Sequence, residues 1–214
     1  VPSLIVTMGT LFAIAGLVLF LSIILTNSTS VSMPTIEPWA KAVFGSFIFG
    51  TYQVLVIWWL VLTAGFFFFL HMSPWGNWVY ALGGDKTSAR NAGIPTDGLT
   101  IGLFVLSSVS AAFVGMCQTL LFNSAQVSAG QSYIFNTIIS VVVGGVLLTG
   151  GFGSVIGIFF GTITFAIVNQ GIYFTDFDRN LSSLIIGVML LVAVLMNNTF
   201  RKMALSATTK KKGA

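Results

Sequence analysis

Residues 3–25, SLIVTMGTLFAIAGLVLFLSIIL, contain no charged side chain. As a helix that stretch rises about 34 Å, enough to cross a hydrocarbon core of about 30 Å. Five further apolar segments follow, at roughly 53–72, 99–122, 133–149, 153–171 and 181–200. Only 7% of the 214 residues are charged, against about 25% in a soluble domain, and 56% are hydrophobic. The apolar runs are continuous rather than alternating, which excludes a transmembrane β-barrel. The fold class is therefore all-α: a polytopic helical membrane protein with about six transmembrane helices. The fourth segment is the shortest, and Gly144–Gly145 interrupts it; a full crossing is expected there.

Positive charge orients the spans. Lys86 and Arg90 lie in the connection 73–98, and Arg201, Lys202, Lys210, Lys211 and Lys212 lie in the tail 201–214. The opposite connections hold only Lys41 and Arg179. The positive-inside rule places the 73–98 loop and the C-terminus in the cytoplasm. Because these cations sit at the ends of apolar runs, the net charge of +4 calls for no nucleic-acid partner. In the outward loop 26–52, Glu37 and Pro38 suit a first helical turn, and a short interfacial helix is expected. The first segment lacks a basic n-region and has no A-x-A site after its apolar run, so it reads as a span and not as a signal peptide.

The connection GNWVYALGGDKTSARNAGIPTDG, 76–98, is a polar island holding Asp85, Lys86, Arg90 and Asp97. Charges of that density do not enter a bilayer. Asp85 suits the N-cap of a helix over Lys86–Ala92, Gly93 suits its left-handed C′ position, and Pro95 prevents continuation. Thr96 or Asp97 then caps the next span. A helix of two turns does not hold itself in water, so it must dock on something.

A second glycine-rich stretch, GGFGSVIGIFFG at 150–161, lacks the G-K-[ST] ending of a phosphate loop. Its Gly153, Gly157 and Gly161, four residues apart, predict a helix face that a neighbouring backbone approaches closely. Gly150 and Gly151 predict a tight turn before it. Cys117, the one cysteine, reads as a small buried packing residue.

Three stretches carry a family resemblance. YALGGDKTSARNAGI (80–94) resembles the cytoplasmic motif of ribose-type sugar permeases of bacterial ABC importers, through Tyr80, Ala81, Gly83, Gly84, Ala89, Arg90, Gly93 and Ile94. Asp85 stands where the family more usually has Asn. VPSLIVTMGT (1–10) resembles the family's first segment with Met8 in place of Leu, and SVVVGGVLLTGGFGSVIGIFFGT (140–162) resembles its glycine-rich segment. The resemblance implies a transmembrane permease domain over 1–200, the C-terminal part of a longer family domain, in the bacterial cytoplasmic membrane. It implies that 73–98 is the coupling loop, with Gly83, Gly84, Asp85, Lys86, Ala89, Arg90 and Gly93 meeting a separate ABC ATP-binding subunit. ATP and magnesium would be bound by that subunit, with no cofactor or metal on this chain. An extracytoplasmic sugar-binding protein and a second permease copy complete the implied partners.

Polar residues within the spans are few, and Thr7, Gln118, Asn136 and Asn169 are the substrate-pathway candidates. A path of hydroxyls and amides suits a neutral, hydroxyl-rich solute such as ribose, xylose or galactose. Asp176, Asp178 and Arg179 in the outward loop are candidates for contact with the binding protein. One His, one Cys and five scattered acidic residues compose no catalytic centre, so the chain reads as a transport subunit and not an enzyme. The rival readings are an ATP-independent carrier or channel for a small neutral solute, and a non-transporting scaffold.

Overall fold

The computed structural model describes residues 3–32, 37–48, 50–174, 184–189, 191–192 and 195. The apolar runs become helices: α1 (Ser3–Thr26), α3 (Leu55–Met72), α6 (Thr96–Phe122) and α8 (Val155–Tyr173), all long and apolar enough to cross a membrane. Between them lie α2 (Pro38–Phe44), α4 (Pro74–Gly84), α5 (Lys86–Asn91) and α7 (Gln131–Val143), with the short strands β1 (Ser30–Ser32), β2 (Phe47–Ile48), β3 (Tyr52–Gln53) and β4 (Ser124–Gln126). Residues 184–189 of the sixth predicted segment are helical. Large apolar side chains such as Phe12, Phe20 and Leu25 stand exposed along α1. Lipid satisfies such a surface, whereas its backbone groups must bond within the helix.

The chain divides into two compact units. The first holds Val1–Leu60 and Phe104–Ser132. Here β1 pairs antiparallel with β4, Ser30 opposite Gln126 and Ser32 opposite Ser124. Asn27 and Asn123, just past α1 and α6, each adopt a left-handed φ of 51°. Asparagine is the side-chain-bearing residue that best tolerates that conformation at a helix end. The short helix predicted within 26–52 is α2, with Pro38 in its first turn. Its Phe44 stacks on Trp58 at 5.4 Å, and Phe113 meets both rings edge-on. The Trp58 indole N–H donates to the Val43 carbonyl at 3.0 Å. Trp58 thus fastens α2 to α3 and α6. Cys117 is buried on α6, 4% exposed.

The second unit holds Val61–Leu103 and Tyr133–Ala214. Its core includes Ile139, Val142 and Phe165. Helix α7 stops at Val143, shorter than the predicted segment 133–149. The stop is local: the Gly145 N–H donates to the Val142 carbonyl and the Val146 N–H to the Val141 carbonyl, with Gly145 at φ 80°. Those paired bonds are a Schellman ending. At 13 residues α7 rises about 20 Å, short of a full hydrocarbon core. Gly144 then lies against α8, where an added Cβ would sit 2.6 Å from the Gly157 carbonyl oxygen. A Cβ at Gly161 would collide with the Ser140 carbonyl in the same way.

Candidate functional site

The polar island is more regular than its sequence suggests. Helix α4 occupies its first half, for which no helix was expected. Ser73 sits at the N-cap and Pro74 opens the first turn, where the missing N–H costs nothing. That Ser-Pro pair was the available signal. The Ser73 hydroxyl donates back to the Phe69 carbonyl at the end of α3. Gly76 is buried in the corner so formed, because a Cβ there would run into the Leu70 backbone.

Asp85 serves both as C-cap of α4 and as N-cap of α5. Its Oδ1 accepts the Ser88 backbone N–H at 2.6 Å. That bond, with help from the Ser88 side chain, holds the Asp85 carboxyl below its ordinary pKa. At the other end the Gly93 N–H donates to the Arg90 carbonyl at 3.0 Å and the Ile94 N–H to the Ala89 carbonyl at 3.1 Å. This second Schellman ending needs the left-handed φ of 80° that Gly93 supplies. Ala89 is buried, while Asp85, Lys86 and Arg90 are exposed. Lys86 Nζ pairs with Asp97 Oδ1 at 2.9 Å across a well-exposed surface, a weak tie between α5 and the first turn of α6. Helix α6 begins at Thr96, itself buried, so Asp97 complements the helix dipole instead of capping.

The underside of this element was not legible in the sequence. Gly83 and Gly84, at the end of α4, lie directly on Gly150 and Gly151, which turn the chain between α7 and α8. A Cβ on Gly83 would stand 2.5 Å from the Gly151 nitrogen, and one on Gly150 would stand 2.7 Å from the Gly83 carbonyl oxygen. Backbone meets backbone with no side chain between them. The turn requires φ of 86° and 78° at Gly150 and Gly151. One turn of α4 earlier, the Tyr80 hydroxyl donates to the Gly153 carbonyl at 2.8 Å. Gly153 therefore does not share the helix face of Gly157 and Gly161. Ser154, whose Oγ accepts the Gly157 N–H at 3.0 Å, caps α8 and leaves Gly153 ahead of it. Beside the joint lies an apolar cavity of about 280 Å³, lined among others by Leu70, Val79, Tyr80, Leu103, Val146 and Phe152.

The other candidates are dispersed. Thr7 and Gln118 fall in the first unit, Asn136 and Asn169 in the second. Thr7 is exposed on α1, and the other three are half-buried on α6, α7 and α8. Asp176, Asp178, Arg179 and the tail 201–214 lie outside the described residues.

The comparisons with known proteins agree with this architecture. The chain is 31% identical over 154 residues to the fructose import permease protein of Rhizobium meliloti, which is 72% of this chain and 42% of that protein. It is 31% identical over 199 residues to a probable ABC transporter permease protein of Escherichia coli, 92% of this chain and 57% of that protein. A ribose import permease protein of Bacillus subtilis is 31% identical over 128 residues, 60% of this chain and 40% of that protein. The chain thus spans about half the length of these curated relatives. No solved structure matches it. Residues 1–194 match the family described as the branched-chain amino acid transport system / permease component, and the chain belongs to that family of membrane permeases.

Proposed function

We propose that this chain forms transmembrane helices of an ATP-driven importer for a neutral carbohydrate in the bacterial cytoplasmic membrane, and that α5 is the element through which a separate ATP-binding subunit acts. In this reading 73–98 and the C-terminus face the cytoplasm, an extracytoplasmic sugar-binding protein delivers the solute, and a second permease copy completes the path. The carrying observation is the geometry of α5: two capped ends, a buried Ala89, and exposed Asp85, Lys86 and Arg90. A helix this short presents a polar face reliably only when both ends are fixed. Relatives whose names specify fructose and ribose import support the solute class.

The mechanism follows from the joint beneath α4. Closure of the ATP-binding subunits displaces α5 and α4, and the Gly83–Gly151 contact with the Tyr80 bond passes the displacement to the turn between α7 and α8. Glycine carries no soft side chain to absorb it.

Arg90→Ala, on the exposed face, is the direct test. In membrane vesicles containing the whole assembly, ATP hydrolysis is expected to persist while sugar uptake falls about tenfold, the scale of one lost charge-assisted interaction. Uptake and hydrolysis that stay in their wild-type ratio overturn the role given to α5.

A further inference from the structure

We infer that the first unit carries a binding recess for a small, uncharged, hydroxyl-rich solute at the C-terminal end of α6. This rests on the import reading above and adds a place and a set of contacts to it. Gln118, Thr119 and Phe122 share one face of α6 with Gly115, at the three- and four-residue spacing that aligns side chains along a helix. The facing wall is β4 and the turn after it, contributing Ser124, Gln126 and Gly130. The cavity between them measures about 580 Å³, within the range of about 300–1,000 Å³ common for small-molecule sites. Pairing with β1 holds the second wall in register, Ser30 opposite Gln126.

The chemistry of the lining selects the ligand. Each glutamine amide offers both donors and an acceptor, matching the two faces of a hydroxyl group. Thr119 donates its proton to the Gly115 carbonyl at 3.0 Å, which turns its oxygen lone pairs toward acceptor duty. Phe122 is 65% exposed and presents an apolar ring, suited to the C–H face of a sugar ring. None of the lining residues is ionisable. An anion or cation finds no counter-charge here, and an apolar solute would cover the half-buried Gln118 and the exposed Gln126 without offering their amides a hydrogen bond. A polyol or monosaccharide satisfies both the amides and the ring.

Saturation-transfer NMR on the intact protein in detergent, with D-ribose and D-fructose as probes and D-gluconate as the charged control, tests the recess. Transfer to ribose or fructose and none to gluconate is expected. Gln118→Ala and Gln126→Ala are each expected to weaken sugar binding about tenfold. Gln126→Ala guards against misfolding, because that side chain is exposed and its strand pairing uses the backbone. No transfer to either sugar, equal transfer to gluconate, or unchanged transfer in both variants overturns the recess. Uptake by the assembled transporter separates the two readings. A tenfold rise in KM in these variants, with ATP hydrolysis intact, supports both. Unchanged KM and unchanged NMR transfer remove the recess and leave the importer reading standing. Uptake that ignores ATP depletion removes the importer reading, while NMR transfer lost in the variants keeps the recess.

Discussion

Gly83 and Gly84 are neighbours at the end of α4, yet their surroundings differ sharply. An added methyl at Gly83 would press on the Gly151 nitrogen, whereas one at Gly84 meets nothing within 4 Å. Gly83→Ala is therefore expected to destabilise the protein by about 1–3 kcal/mol, the usual cost of overpacking. Gly84→Ala should leave it unchanged or raise stability by up to about 1 kcal/mol through helix propensity. Thermal unfolding of the two variants in the same detergent measures the contrast, and equal effects would refute the backbone-on-backbone joint. The sequence showed two glycine pairs, at 83–84 and 150–151, but gave no means of pairing them. A contact without side chains leaves no complementary charge, size or polarity to read. Tyr80 was likewise legible only as part of a resemblance, because its partner is the carbonyl of Gly153, and every residue has a carbonyl.

At the scale of elements, α5 was readable from its ends. Asp85 and Gly93 stood where a cap and a left-handed residue belong, and capping is local chemistry that needs no tertiary contact. The Asp85 cap also makes α5 sensitive to acid. Bonding to Ser88 lowers the folded-state pKa below the ordinary value of 3.8. The stabilisation is accordingly present in full above that value and fades as pH falls through the lowered one. Amide exchange at Ser88, corrected for intrinsic rates, should lose protection below about pH 4. Asp85→Asn, which keeps the cap without the titration, should flatten that dependence; an equal response in both proteins would show that Asp85 is not the group responsible. Helices α4 and α7 were read less well. In α4 the Ser73–Pro74 start was hidden among aromatic residues. In α7 the apolar character outlasts the helix, since Val146, Leu147 and Leu148 continue the run after Gly144–Gly145 has ended the hydrogen bonding. Hydrophobicity reports the solvent of a segment, not where its backbone stops.

At the scale of the molecule, membrane class followed from composition alone, because few structures can hold so much apolar surface away from water. The side from which the α5 platform is reached is the part of the proposed reading that rests on the arrangement of Lys and Arg alone. Ser88→Cys, on the exposed part of α5, is expected to react with an impermeant maleimide only after the inner membrane is opened. Labelling of intact spheroplasts would invert the orientation. Cys117 serves as an internal control, being buried in α6 and slow to react in either case.

Contacts between side chains can drift over evolutionary time, one partner losing bulk as the other gains it. The junction of Gly83 with Gly151 admits no such exchange, since both partners already have the smallest side chain there is. A substitution on one side has no compensating substitution on the other. Double variants at 83 and 151 should therefore never rescue one another, and the two positions should change only if the whole turn between α7 and α8 is rebuilt.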